Sequence, residues 1–144
     1  MSGDAGSIAS RWSTGKVQEV ALRITPRVDP SALVSRIAVA EVLAPDPVGS
    51  LLFAHHNSSW QLGFEHEREL QAVAAERFAE PLVGERDTSH VVQGGDWDAT
   101  PDAASLRCWR GLQSLGGTSV CYQDAWESVH PGTAGTRSRR ATRW

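Results

Sequence analysis

The sequence predicts an α+β fold with a mostly antiparallel sheet, and three observations indicate this class. Apolar residues alternate with polar ones over several short stretches, as in half-buried strands. The run Leu51–Ala54 is apolar on both faces, as in a central strand, and one longer stretch is amphipathic. With 144 residues, 40% of them apolar and 22% charged, the chain has the size and composition of a single globular domain.

The first part of the chain predicts strands. Val20, Leu22 and Ile24 are apolar at every second position, which is the period of a strand with one buried face. Proline-rich turns separate the stretches, and such short connections favour antiparallel neighbours. Leu51, Leu52 and Phe53 are predicted to lie in the central strand of the core. The predicted strands cover residues 7–12, 16–24, 35–43 and 48–55.

A long helix is predicted over residues 64–78, ended by Pro81 and Gly84. We place Arg68 on its solvated face, with a structural ion pair as the alternative. A strand at 89–93 and a second helix at 103–112, capped by Asp102, complete the order β-β-β-β-α-β-α. The residues predicted to face the core from the long helix are Leu70, Val73, Ala74 and Phe78. The tryptophans assigned to the core are Trp60, Trp109 and Trp126.

Charge and cysteine usage narrow the class of protein. The net charge of −3 does not indicate a nucleic-acid or membrane surface. Cys108 and Cys121 have neither CxxC nor zinc-finger spacing and follow no signal peptide, so reduced thiols and a cytoplasmic location are expected. No apolar run approaches the roughly 18 residues that a membrane span requires. The sequence indicates no protein partner.

The strongest chemical motif follows the fifth predicted strand. Two glycines, Gly94 and Gly95, precede two carboxylates, Asp96 and Asp98. Carboxylates at the end of a strand, with glycines that let backbone approach closely, suit a hard cation and a phosphate. The alternative interpretation is a turn whose aspartates cap the next helix.

Several segments resemble one family in the same order. GGDWDATPDAASLR, residues 94–107, resembles the GDFNxxPDSxxLR segment of the endonuclease/exonuclease/phosphatase (DNase I-like) superfamily. Together the similar pieces span roughly residues 6–130. The resemblance implies part of the α-β-β-α sandwich of that superfamily, whose complete fold is about twice this length. The other similar pieces are 6–12, 53–62, 67–72 and 113–126.

The resemblance also implies a function, namely divalent-metal-dependent hydrolysis of a phosphoester, in particular a phosphodiester. Asp96 would orient and deprotonate the attacking water, and His56 would contact the scissile phosphate. Asp98 stands where the family has Asn, and His55 occupies the neighbouring Asn position. Mg²⁺ or Mn²⁺ would be held weakly by Asp96 and Asp98. The implied partner is a phosphoester substrate, with nucleic acid as one candidate.

Parts of the family pattern do not occur in this sequence, namely the early Asn and Glu strands and the late S-D-H motif. We therefore expect a fragment with a disordered N-terminus (1–6), a partial domain (7–130) and a disordered basic tail (131–144). Shifting GC-rich codons for residues 136–144 by one base would encode the family's continuation, so the tail is predicted to be out of frame.

Two alternatives to an active hydrolase remain open. The first is a non-catalytic remnant of the family. The second is a haloacid-dehalogenase-type phosphatase, because residues 96–100 read D-x-D-x-T, with Asp96 as the nucleophile and Asp98 as the acid/base.

Overall fold

A computed structural model describes residues 8–22, 35–85 and 90–132. The expected disorder of residues 1–6 and the predicted out-of-frame stretch 136–144 lie outside these described ranges. Along the described chain, strands and helices follow in the order β-β-β-α-β-α-α. They are β1 (Gln18–Ala21), β2 (Arg36–Leu43), β3 (Ser50–Asn57), α1 (Glu65–Gly84), β4 (His90–Asp96), α2 (Ala104–Trp109) and α3 (Ala125–Val129).

Within the described residues the strands form one mixed sheet in the order β1-β2-β3-β4. The pairs β1–β2 and β2–β3 are antiparallel, as the short connections predicted. β3 and β4 are parallel, because α1 crosses over between them and returns the chain in the same direction. The predicted α+β class and mostly antiparallel sheet are therefore confirmed.

The core lies between one face of the sheet and the helices. On β3 the buried residues alternate, with Leu52 and Ala54 packed in the core cluster and Leu51 and Phe53 only half-buried on the opposite face. The predicted central position of β3 is correct, but of Leu51, Leu52 and Phe53 only Leu52 joins this cluster, because successive side chains point to opposite faces.

Helix α1 continues through Pro81, which does not end it as predicted, and its last residue is Gly84, the second predicted stop. Leu82, in this last turn, belongs to the core cluster, and its burial favours continuation of the helix. The carbonyl oxygen of Pro81 still accepts a hydrogen bond from the backbone N–H of Glu85 at 3.0 Å. Tertiary packing therefore outweighs the helix-breaking tendency of proline here.

The predicted inner face of α1 is correct only in part. Small residues fill the core side of the helix, among them Ala72, Ala75 and Ala79, whereas Leu70 and Val73 are half-buried. Ala74 and Phe78 do pack against the core cluster as predicted. Four polar side chains are buried on this helix, which a hydrophobicity pattern assigns to solvent. They are Glu67, Arg68, Gln71 and Glu76.

Glu76 is one of these buried polar residues and faces α2. Its Oε1 accepts a hydrogen bond from the thiol of Cys108 at 3.4 Å, and its Oε2 has no partner among the described residues. Burial raises the pKa of Glu76 to about 7; the Cys108 hydrogen bond lowers it, and the nearby charge of Glu80 raises it. The carboxyl is therefore largely protonated in the folded state below neutral pH.

Replacing Glu76 by glutamine is expected to remove a pH dependence of stability. Between pH 4.5, the usual pKa, and about 7, the folded chain keeps a proton that the unfolded chain releases. The free energy of unfolding should thus fall by about 1.4 kcal/mol per pH unit as pH rises through this range. Urea denaturation at several pH values measures this slope, and Glu85→Gln, at an exposed residue, is the control. Equal slopes for wild type and Glu76→Gln would contradict the interpretation.

Three local predictions differ from the structure. Residues 8–12 form no strand; instead Ser13 and Gly15 each make one backbone hydrogen bond to the edge of β2 that also pairs with β1. Helix α2 begins after Ala103, which occupies the N-cap position predicted for Asp102 and provides no side-chain cap. Helix α3 was not predicted, although the side chain of Asp124 caps it by accepting from the backbone N–H of Glu127 at 3.1 Å.

The aromatic and sulfur-containing side chains divide between core and surface. Trp109 is buried as predicted, whereas Trp60 and Trp126 are 61% and 42% exposed. Cys108 and Cys121 are both free thiols, as expected.

Within the described ranges, no helix has the length and apolar character needed to cross a membrane.

Candidate active site

The predicted site residues lie where β3 and β4 end. Because these strands are parallel, their carboxyl ends meet at the same edge of the sheet. The register places Asn57 opposite Asp96 and His55 opposite Gly94. Side chains alternate along a strand, so His55, Asn57 and Asp96 share the sheet face that is turned away from the helices.

His56 lies on the opposite, helix-covered face of the sheet. It is only 2% exposed, and its ring centroid is 4.9 Å from that of Trp97 and 5.6 Å from that of Trp109. Neither ring nitrogen has a hydrogen-bond partner among the described residues. Burial, and to a lesser degree the charge of His55, lower the pKa of His56 to about 3. The imidazole is therefore neutral, and the structure does not bring it together with Asp96.

Asp98 sits in the turn that follows β4. Its φ of 46° lies in the left-handed region, which Asn and Asp tolerate better than most residues. Burial raises its pKa, the charge of Asp96 raises it further, and the charge of Arg68 lowers it. The two aspartates thus lie close enough to interact, and the buried guanidinium of Arg68 acts on the same turn.

The glycines before the aspartates have different structural roles. A Cβ atom on Gly95 would lie 1.7 Å from the carbonyl oxygen of His56, and its φ is +151°. A Cβ on Gly94 would meet only the ring of Phe53, at 3.8 Å. Gly95 therefore allows the close approach of β4 to β3 that brings the two strand ends together.

The donor atoms at this edge suit a hard cation in part. The carboxylates of Asp96 and Asp98 and the amide oxygen of Asn57 are the oxygen ligands that Mg²⁺ and Mn²⁺ prefer. Over the described ranges, however, no three His, Cys, Asp or Glu side chains come together as a metal site. Two carboxylates would leave most of an octahedral shell to water or substrate.

A separate cleft of about 440 Å³ runs along β4 on its helix side. Its walls include the aromatic rings of Trp97, Trp109 and Tyr122. Neither Asp96 nor Asp98 lines it. The acidic pair is therefore on an open edge of the sheet rather than inside this cleft.

Comparison with known proteins identifies the fold. No family model matches the sequence, and no curated protein matches it. The chain is similar to the structure of ANGEL2, described as a 2′,3′-cyclic phosphatase in complex with adenosine-2′,3′-vanadate, with 14% identity and a TM-score of 0.54 over 69% of this chain. ANGEL2 is a member of the endonuclease/exonuclease/phosphatase superfamily. The described structure is part of that fold.

The endonuclease/exonuclease/phosphatase fold is also that of the human Nocturnin catalytic domain, solved with a bound sulfate anion. That domain is 14% identical, with a TM-score of 0.43 over 78% of this chain. The chain covers 30% of the ANGEL2 structure and 44% of the Nocturnin domain, so it spans less than half of each. The similarity to ANGEL2 confirms the predicted superfamily resemblance at the level of the fold.

The sequence motifs missed two residues of this edge. Asn57 was not singled out, although it follows His55 by two positions and therefore shares its face. Arg68 was assigned to solvent, with a structural ion pair as the alternative; the alternative is correct, since its side chain is only 5% exposed and pairs with Glu65 at 2.9 Å. The signal that could have identified Arg68 is the nearby Glu65, three residues earlier on the same helix, which can pair with it.

Proposed function

We propose that this chain provides the carboxylate part of a metal-dependent phosphoester hydrolase site. The observation that carries the proposal is the parallel pairing of β3 and β4, which places Asn57 and His55 beside Asp96 on one face. This arrangement occurs in a fold shared with ANGEL2, a 2′,3′-cyclic phosphatase. The substrate that we propose is accordingly a phosphodiester, and nucleic acid is the candidate source.

The residues at this edge would have different roles in hydrolysis. The carboxylate of Asp96, exposed at the strand end, would orient a water molecule and accept its proton during attack on phosphorus. Asp96 and Asp98 would hold Mg²⁺ or Mn²⁺, which when bound supplies positive charge for the phosphoryl oxygens. We propose that His55, rather than the buried His56, faces the phosphate, since His55 shares the face of Asp96.

Replacing Asp96 by asparagine is expected to abolish metal binding and hydrolysis. Calorimetry with Mn²⁺ and hydrolysis of bis(4-nitrophenyl) phosphate would measure the two properties. Wild-type affinity should be weak, because two carboxylates fill only part of the coordination shell. Asp46→Asn, in an exposed turn between β2 and β3, is the matched control. If Asp96→Asn binds Mn²⁺ as tightly as wild type, the proposed site is wrong.

A non-catalytic role is the second candidate, and one observation favours it. Among the described residues, no third His, Cys, Asp or Glu side chain joins Asp96 and Asp98 in a group that could hold a metal ion. Mn²⁺ binding that depends on Asp96 but gives no hydrolysis would support this alternative. The haloacid-dehalogenase alternative loses support, because the fold is of the DNase I-like type.

A further inference from the structure

The buried side chain of Arg68 connects α1 to the segment that follows β3. Its Nη1 donates to the carbonyl oxygens of Ser59 at 2.9 Å and Gln61 at 2.8 Å, and its Nη2 donates to that of Leu62 at 3.4 Å. These carbonyls lie just beyond the strand end that carries His55 and Asn57. The guanidinium therefore fixes the chain immediately after one half of the candidate site.

Glu65 connects Arg68 to the segment that carries Asp96 and Asp98. One of its carboxylate oxygens accepts from Arg68 Nε at 2.9 Å, and the other accepts from the backbone N–H of Ser105 at 2.9 Å. Burial raises the pKa of Glu65, but the hydrogen bonds from Ser105 and Arg68 outweigh it and hold the pKa below its usual value. Ser105 is in the first turn of α2, where the loop from Asp96 ends.

The loop that carries the aspartates is thus held at both ends. At its start, Ser58 donates from its backbone N–H to the carbonyl of Asp96 at 3.1 Å and from its hydroxyl to that of Trp97 at 2.8 Å. At the end of the loop, Glu65 accepts a hydrogen bond from the backbone N–H of Ser105. Since Glu65 is paired with Arg68, one ion pair links the segment after β3 to the beginning of α2.

We propose that the Arg68–Glu65 ion pair positions the Asp96–Asp98 loop against the end of β3, so that Arg68 and Glu65 are positioning residues of the site. This inference rests on the proposed function. A merely structural ion pair would contribute to stability without changing the loop. Partners that orient metal ligands from outside the coordination sphere typically alter metal affinity by 10–100-fold when removed.

The test compares Glu65→Ala with its conservative variant Glu65→Gln, at a temperature where melting curves show both to be folded. Glu65→Ala is expected to speed amide hydrogen exchange in residues 97–103 and to weaken Mn²⁺ binding about tenfold. Glu65→Gln keeps an oxygen for the N–H of Ser105 but turns an amide NH2 toward the Nε–H of Arg68, and two donors cannot pair, so it should restore only part of both properties. Arg68→Lys keeps the charge but not the planar fork, so it should weaken Mn²⁺ binding as Glu65→Ala does.

The matched control is Arg77→Met on the same helix, where an exposed guanidinium donates to the carbonyl of Gly116 at 2.8 Å. It should leave exchange in residues 97–103 and Mn²⁺ affinity unchanged. Unchanged exchange in folded Glu65→Ala would overturn the positioning role, whatever the metal result. If exchange increases but wild-type protein binds no Mn²⁺, the link to the loop holds and the proposed function fails.

Discussion

Replacing Gly95 by alanine is expected to lower the free energy of unfolding by about 3 kcal/mol or more. The new Cβ atom would lie 1.7 Å from the carbonyl oxygen and 2.7 Å from the carbonyl carbon of His56, and both are backbone atoms that cannot rotate away. The φ of +151° adds strain for any residue with a side chain. Strands β3 and β4 would have to separate at the point where the candidate site is built.

Gly94→Ala is the matched control for this substitution. Its Cβ atom would make ordinary van der Waals contact with the ring of Phe53 at 3.8 Å, so the change in stability should be small. Urea denaturation followed by circular dichroism compares the two variants with wild type. Equal stability of Gly94→Ala and Gly95→Ala would show that β4 does not approach β3 as closely as the structure indicates.

The middle of the fold could be predicted from the sequence because its signals are local. Apolar alternation and short turns identified β2 and β3 to within two residues at each end. The sequence also indicated the position of the site, since Gly94, Gly95 and Asp96 form the end of β4 and Asp98 follows in the next turn. The prediction failed for two short segments, namely residues 8–12, which form no strand, and helix α3, which was not predicted.

The face of helix α1 could not be predicted from hydrophobicity. Much of its core side is formed by alanines, together with Gln71 and Glu76, which are fully buried. Gln71 is satisfied there by Ser59, whose backbone N–H donates to Gln71 Oε1 at 3.0 Å and whose Oγ accepts from Gln71 Nε2 at 2.8 Å. Such partners come from distant segments, so periodicity alone assigns these residues to solvent.

The candidate site illustrates the importance of strand register. The resemblance assigned the phosphate contact to His56 and placed His55 next to it, but a shift of one residue along a strand moves a side chain to the other face. In the observed register, His56 is opposite Gly95 and His55 is opposite Gly94. Asp96 therefore shares its face with His55 and Asn57, which only the pairing of β3 with β4 reveals.

The burial of His56 has a large expected effect on stability in acid. An unfolded histidine titrates near pH 6.5, whereas in the folded chain the pKa is about 3. Between these values the unfolded state binds a proton that the folded state does not. The free energy of unfolding should therefore fall by about 1.4 kcal/mol for each pH unit as pH decreases from about 6 to 3. The total loss would be roughly 4 kcal/mol or more by pH 3.

The contributions of His56 and Glu76 to the pH dependence of stability must be separated. Between about pH 4.5 and 6.5, the two groups change the free energy of unfolding in opposite directions as pH rises. We therefore expect the clearest result in a Glu76→Gln background. There, His56→Phe should keep a neutral ring against Trp97 and Trp109 and gain stability relative to its parent as pH falls. His66→Phe is the matched control, since the side chain of His66 is 74% exposed. If the stability of His56→Phe runs parallel to that of its parent from pH 7 to pH 3, His56 is not buried in a neutral state.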